Sequence, residues 1–143
     1  MIVADTGAML ALLDAGDRHH RDLLTLYESD PHAWVLPWAI LPEVDYLTFS
    51  HLGAKVESVW LDDLAHGRFT VEWGEPEDLE RANDVCGRHR ALNLGLVDGV
   101  VIAVAERLEA DAIATLDLRH FGAVRLRPGT RLLPRDAPPQ RHR

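Results

Sequence analysis

Apolar and polar positions alternate along this chain in two rhythms. Short apolar runs, Ile2-Val3-Ala4, Trp34-Val35-Leu36 and Ala112-Ile113-Ala114-Thr115, are each bounded by polar residues or proline and predict buried strands. Phe69-Thr70-Val71-Glu72-Trp73 alternates and is rich in β-formers, which predicts another strand, and Val124-Arg125-Leu126 is a candidate fifth. Between these runs the apolar spacing changes to three and four. Leu23, Leu24, Leu26 and Tyr27 predict a helix over 20–29; Ile40, Val44 and Leu47 predict one over 39–51 with Gly53 beyond its end. Val59, Trp60 and Leu64 predict a helix over 56–64, and Val97, Val100, Val101, Val104 and Leu108 one over 96–108. A first helix over 8–13 closes near Gly16. Glu75-Pro76-Glu77-Asp78 sets proline and acids in a first helical turn, and this helix is expected to run to about residue 90.

Short apolar strands alternating with helices predict an α/β fold with a mainly parallel sheet. The length of 143 residues fits one domain. We expect residues 1–133 to form it and 134–143, rich in Pro, Arg and His without periodicity, to be a disordered tail. No apolar stretch is long enough to span a bilayer, no basic segment precedes the first apolar run, and the single cysteine, Cys86, has no partner for an internal disulfide. A reducing cytoplasm is the expected location.

The formal net charge is −8, the wrong sign for gripping nucleic acid by broad phosphate neutralisation. An acidic protein can still meet a phosphate through a divalent cation held in its site. That directs attention to the acids. In open parallel sheets ligands bind beyond the carboxyl ends of the strands, and Asp5 and Asp117 follow the first and fourth apolar runs directly. Asp98 stands at the start of an otherwise apolar helix, and Glu43 stands inside the helix over 39–51. Singly, Asp5 reads equally as a helix cap, Asp98 reads as a cap more readily than as a ligand, and Glu43 reads as a solvated face residue. Jointly, two acids at strand ends and two near helix starts converge on one sheet edge. Clustered carboxylates repel one another unless a cation sits among them. Oxygen donors of this kind suit Mg²⁺ or Mn²⁺, and the chemistry is metal-assisted phosphodiester hydrolysis.

Four segments add a resemblance. Met1-Ile2-Val3-Ala4-Asp5-Thr6-Gly7-Ala8 resembles the opening of PIN-domain proteins, and Pro42-Glu43-Val44-Asp45-Tyr46-Leu47 their second acidic motif. Gly95-Leu96-Val97-Asp98 with Ala103-Val104-Ala105-Glu106-Arg107 is similar to the third, and Ile113-Ala114-Thr115-Leu116-Asp117-Leu118-Arg119-His120-Phe121 to the fourth. Order and spacing agree over residues 1 to about 133. Within the family, length and motif wording are nearest to the VapC-type toxins of type II toxin–antitoxin pairs. The resemblance implies a three-layer α/β/α domain with a central sheet of four or five strands. It also implies a Mg²⁺-dependent endoribonuclease (Mn²⁺ as the alternative ion), a homodimer, and inhibition by a VapB-type antitoxin. Asp5, Glu43, Asp98 and Asp117 become the metal-binding and catalytic acids, with Thr6 or Thr115 as hydrogen-bonding support. Gly99 departs from the alanine found in many relatives, which on helix propensity alone is a small change.

Other residues are expected to be structural. Asp45, two positions from Glu43, points elsewhere on a helix. His19, His20 and His120 lack the paired spacing of zinc ligands and are expected in solvated loops. The four tryptophans are expected in the core, with Trp38 the one nearest Glu43. Cys86 is expected to be buried and inert, and Arg119 serves equally as a phosphate contact or a structural ion pair. Two rival folds also gather acids at a parallel edge. A phosphoacceptor receiver needs a lysine near its last strand, whereas the only lysine is Lys55. A haloacid-dehalogenase-type phosphatase needs a second Asp where Gly7 stands. Two functional alternatives are a catalytically idle PIN binding module and a housekeeping PIN nuclease without an antitoxin.

Overall fold

A computed structural model describes residues 1–139. It contains β1 (Ile2–Ala4), α1 (Thr6–Leu13), α2 (His20–Ser29), β2 (Trp34–Pro37), α3 (Leu41–Leu52), α4 (Ala54–Ala65) and β3 (Thr70–Glu72). These are followed by α5 (Pro76–Arg88), α6 (Leu96–Arg107), β4 (Ala112–Ala114), α7 (Leu118–Phe121) and β5 (Arg131–Leu133). The five strands form one sheet in the order β3-β2-β1-β4-β5, and every pairing is parallel. The chain winds outward from β1 through β2 to β3, then crosses back over β1 to β4 and β5. Right-handed crossovers in opposite directions set the helices on opposite faces, α1 to α4 on one and α5 to α7 on the other. The α/β/α expectation holds, with five strands. The point of reversal lies between β1 and β4, where parallel sheets place their ligands.

Three departures from the sequence reading have physical causes. The fifth strand is Arg131–Leu133, not 124–126. β4 ends at the carboxyl edge, so a parallel neighbour can start only after the chain has returned to the opposite edge. Residues 124–126 make that return, burying Val124 (8% exposed) on the way. Second, the helix expected from residue 39 begins as a 3₁₀ turn, Trp38–Ile40, and becomes α-helical at Leu41. Pro42, which has no N–H to donate, fits only in such a first turn. Third, Trp34 and Trp60 are core residues, but Trp73 is 75% exposed beyond the end of β3.

α6 is the pillar of the domain. Seven successive residues, Gly99 to Ala105, are buried, so the helix is apolar all round between sheet and α5. Its contact with α5 is close. A methyl group on Gly99 would meet the Ala82 Cβ at 2.9 Å, so this glycine lets the two helices touch. The effect of Gly99 is therefore steric as well as one of helix propensity. Of the stretch from residue 134 onward, Asp136 Oδ2 accepts the Leu132 N–H at 2.8 Å. Pro138 and Pro139 line a cleft with Thr25 and Leu26 of α2. Residues 140–143 lie outside the described residues. No helix of the described residues is long and apolar enough to cross a membrane.

Candidate active site

Asp5 is the first residue past β1, yet the sheet still holds it: its N–H donates to the Ala114 carbonyl at 2.9 Å. Its side chain is 6% exposed. Thr115, the residue just past β4, donates its hydroxyl to Asp5 Oδ2 at 2.9 Å and accepts the Asp117 N–H at 3.0 Å. One threonine thus ties together the acids that follow the two central strands. Thr6 Oγ1, by contrast, is buried and has no hydrogen-bond partner among the described residues.

Asp117 and Asp98 both act as helix caps. Asp117 Oδ1 accepts the His120 N–H at 3.1 Å at the start of α7. Asp98, in the first turn of α6, accepts the Gly95 N–H at 3.2 Å. The cap readings and the site reading are compatible, because a cap occupies only one or two of the lone pairs of a carboxylate. Glu43 lies in the first turn of α3. It is exposed and lines the same cleft as the three aspartates. The four acids therefore reach the cleft from the sheet edge (Asp5 and Asp117) and from one helix of each layer (Glu43 and Asp98). Four helices, α1, α3, α6 and α7, begin here, and their positive ends face the carboxylates.

The cleft is about 690 Å³ in volume and open to solvent. Among the described residues no arginine or lysine lines it. Burial, with the neighbouring Asp98 and Asp117 charges, raises the Asp5 carboxyl to about 6, against the bonds from Thr115 and Thr6 that favour its charged form.

His120 belongs to this cluster, contrary to the expectation that it is solvated. Its Nδ1 lies 2.8 Å from Asp117 Oδ2 and 3.6 Å from Asp98 Oδ2. Donor atoms of Asp98, Asp117 and His120 fall within 4.8 Å of one another. The 2.8 Å approach lies outside hydrogen-bond geometry, so this nitrogen is buried without a hydrogen-bond partner among the described residues. The available signal was the spacing Asp117-x-x-His120, one helical turn, which brings both side chains to one face. Carboxylates with no lysine or arginine beside them in the cleft, a ring nitrogen and a Thr6 hydroxyl without hydrogen-bond partners among the described residues form a donor set that fits a divalent cation.

The remaining candidates lie elsewhere. His20 Nδ1 is 3.0 Å from the Ala11 carbonyl, and His19 contacts Arg18. Trp38 packs over Gly74, away from Glu43's cleft. Asp45 is half-buried and approaches Glu57, whose carboxyl burial and Asp45 push up. Cys86 is half-buried rather than buried; its thiol donates to the Gly95 carbonyl at 3.4 Å, and burial, then Asp98, raises it. A raised thiol is a poor nucleophile.

Known proteins resemble this chain in sequence and in fold. Ribonuclease VapC26 of Mycobacterium tuberculosis (strain ATCC 25618 / H37Rv) is 29% identical over 124 residues, covering 87% of this chain and 92% of that protein. The crystal structure of Mycobacterium tuberculosis VapC20, described as a sarcin-ricin loop cleaving toxin, superposes with a TM-score of 0.74 at 24% identity, covering 90% of this chain and 100% of that one. DNA-bound VapBC from Salmonella typhimurium gives 0.65 at 17% identity, covering 92% and 95%, and FitAcB from Neisseria gonorrhoeae 0.61 at 20%, covering 86% and 92%. At these identities the structures speak for the fold. The sequence profile of the PIN domain matches residues 2–125, a span holding all four acids, and the chain belongs to the PIN domain family.

Proposed function

We propose that this protein is a metal-dependent endoribonuclease, the toxin of a type II toxin–antitoxin pair. The observation that carries the reading is the convergence of Asp5, Glu43, Asp98 and Asp117 on one open cleft at the β1/β4 switch point, with no lysine or arginine lining it. The 29% identity to a protein named Ribonuclease VapC26 supports the nuclease assignment. Asp5, Glu43, Asp98 and Asp117 would hold a divalent cation, Mg²⁺ or Mn²⁺, with Glu43 at the exposed rim of the cleft. When bound, the cation supplies positive charge to the scissile phosphate and lowers the pKa of water. Thr115 fixes the relative positions of Asp5 and Asp117, and Asp98 is held by α6. The open cleft admits a polynucleotide strand, and RNA is the substrate.

Two partners accompany this reading. Tyr46 and Phe49 on α3 and Val59 and Leu61 on α4 are large apolar side chains 46–69% exposed, and they support a homodimer. Leu96 and Leu118, exposed beside the acids, support an antitoxin of the VapB type that covers the cleft. The location is the cytoplasm, where both partners and RNA are found, and residues 1–133 form the functional domain.

The test is incubation of the purified protein with total RNA, with Mg²⁺, Mn²⁺ or EDTA, followed by sequencing of the new 5′ ends. Cleavage is expected with either metal, none in EDTA, and none from Asp98→Asn of unchanged circular dichroism. Wild-type cleavage in EDTA, or an active Asp98→Asn, would overturn the site. Metal binding without cleavage of any RNA would favour an idle binding module. A small DNA-binding protein encoded next to the gene separates a toxin from a housekeeping nuclease.

A further inference from the structure

We propose that His120 is a nitrogen ligand to the cation in the acidic cleft and gives the site a preference for Mn²⁺ over Mg²⁺. The inference rests on the divalent-cation reading above and adds to it a donor of a different chemical kind.

Two donor atoms about 2.1 Å from one octahedral cation, at right angles, are about 3 Å apart. His120 Nδ1 stands 2.8 Å from Asp117 Oδ2 and 3.6 Å from Asp98 Oδ2, distances that bracket this separation. An imidazole serving only to neutralise Asp117 would direct an N–H along the line to the carboxylate. Here the nitrogen is buried, close and off that line, without any hydrogen-bond partner. A second orphaned atom, Oγ1 of the 5% exposed Thr6, sits on the same cleft.

The ring is also held in place before any ion arrives. The His120 N–H donates to Asp117 Oδ1, and Phe121, 1% exposed, anchors the short helix α7 in the core. Asp98 is fixed in turn by the Gly95 N–H. Ligands that need little rearrangement bind with little ordering cost.

The choice of metal follows from donor type. Mg²⁺ takes oxygen ligands, keeps several waters and gains little from imidazole, whereas transition metals accept imidazole readily. Mn²⁺ accepts both carboxylate and imidazole, so a donor group that adds His120 to Asp98 and Asp117 favours it. Removing His120 therefore weakens Mn²⁺ selectively.

The experiment is calorimetric titration of the metal-free protein with Mn²⁺ and separately with Mg²⁺, paired with pulsed electron paramagnetic resonance of the Mn²⁺ complex. In the wild type we expect a directly bonded ¹⁴N coupling to Mn²⁺, lost in His120→Ala and His120→Asn. Mn²⁺ affinity should fall about tenfold or more in both variants, the scale on which ligand-sphere changes act. Mg²⁺ affinity should fall by less than about threefold, because it gains little from nitrogen. Mn²⁺ binding without ¹⁴N coupling, or equal losses for the two ions, would overturn the inference and leave the cation site standing. Wild-type protein that binds neither ion would overturn the cation site itself. The spectrum of the wild type decides the matter even if a variant fails to fold.

Discussion

Asp5 and Asp78 are equally buried, 6% and 3% exposed, and both sit at the start of a helix, yet their carboxyls shift in opposite directions. At Asp78 burial pushes the carboxyl up, but Arg107 on α6, with Nε at 2.8 Å and a second nitrogen at 2.9 Å, outweighs it and holds the group charged. Arg107 reaches on to Glu72 at 2.9 Å, and beside it Arg81 grips Glu106 through two bonds. On this side of the molecule acids are matched by guanidinium groups, and the result is a strut between β3, α5 and α6. At Asp5 the neighbours are other carboxylates and hydroxyls, and the group is raised to about 6. The first region is built to be stable as it stands. The second is short of positive charge, which a divalent cation would supply.

The largest expected effect is on the strut. Arg107→Ala leaves Asp78 buried without its partner, and removing one member of such a pair costs about 3 kcal/mol or more. Urea unfolding should show this loss, and adding Asp78→Asn should restore much of it. A loss below about 1 kcal/mol, the range of surface ion pairs, would erase the contrast between the two regions.

Sequence made one of these regions far more legible than the other. Asp5 and Asp117 could be found because each follows an apolar run that had to be a strand, and strand ends in a parallel sheet share an edge. Asp98 alone reads as a helix cap, and it could be found because it opens an apolar helix expected to begin at the same sheet edge as Asp5 and Asp117. The strut was invisible, since Asp78 and Arg107 are 29 positions apart and nothing local pairs them. His120 was passed over for another reason. It lies in a helix of four residues, too short for periodicity to register, and it lacks the paired spacing of zinc ligands. Gly99 shows only its helix propensity in the sequence, whereas its steric role depends on Ala82, a contact that only packing reveals. Val124-Arg125-Leu126 has the alternation of a strand, but chain direction, which alternation does not encode, excludes it.

The next effect in size concerns pH in the absence of metal. The folded Asp5 holds its proton more tightly than the unfolded chain does, with a value of about 6 against 3.8. Its contribution to stability is therefore full below about pH 4 and is lost as pH rises through about 6. The shift corresponds to at most about 3 kcal/mol at 1.36 kcal/mol per unit. In EDTA, Asp5→Asn should be the more stable protein at pH 7, and the difference from wild type should vanish near pH 4. Asp78, shifted the other way, acts below pH 4, where folded protein loses its contribution, so the two windows are separate. Adding Mn²⁺ at pH 7 should reverse the order, stabilising the wild type more than the variant. Matching pH profiles for wild type and Asp5→Asn in EDTA would show that the site carries no deficit.

The smallest effect concerns how a chain of net charge −8 holds RNA at all. A second cleft of about 370 Å³ adjoins the first, sharing Leu116 and lined by Arg18, His19, Asp22, Leu118 and Arg135. Arg135 is engaged by both oxygens of Asp136, at 2.7 and 2.9 Å, whereas among the described residues Arg18 bonds only to His19. Arg18 is thus the guanidinium best placed to take a phosphate next to the one being cut. Arg18→Ala should raise KM for a short RNA roughly three- to tenfold and leave kcat unchanged, since a uniform binding contact is lost. The slope of log affinity against log salt should shrink by about one. If kcat falls instead and KM holds, Arg18 acts on the reacting phosphate. The acidic cleft would then have a cationic partner after all, and its contrast with the Arg107 strut would be one of degree.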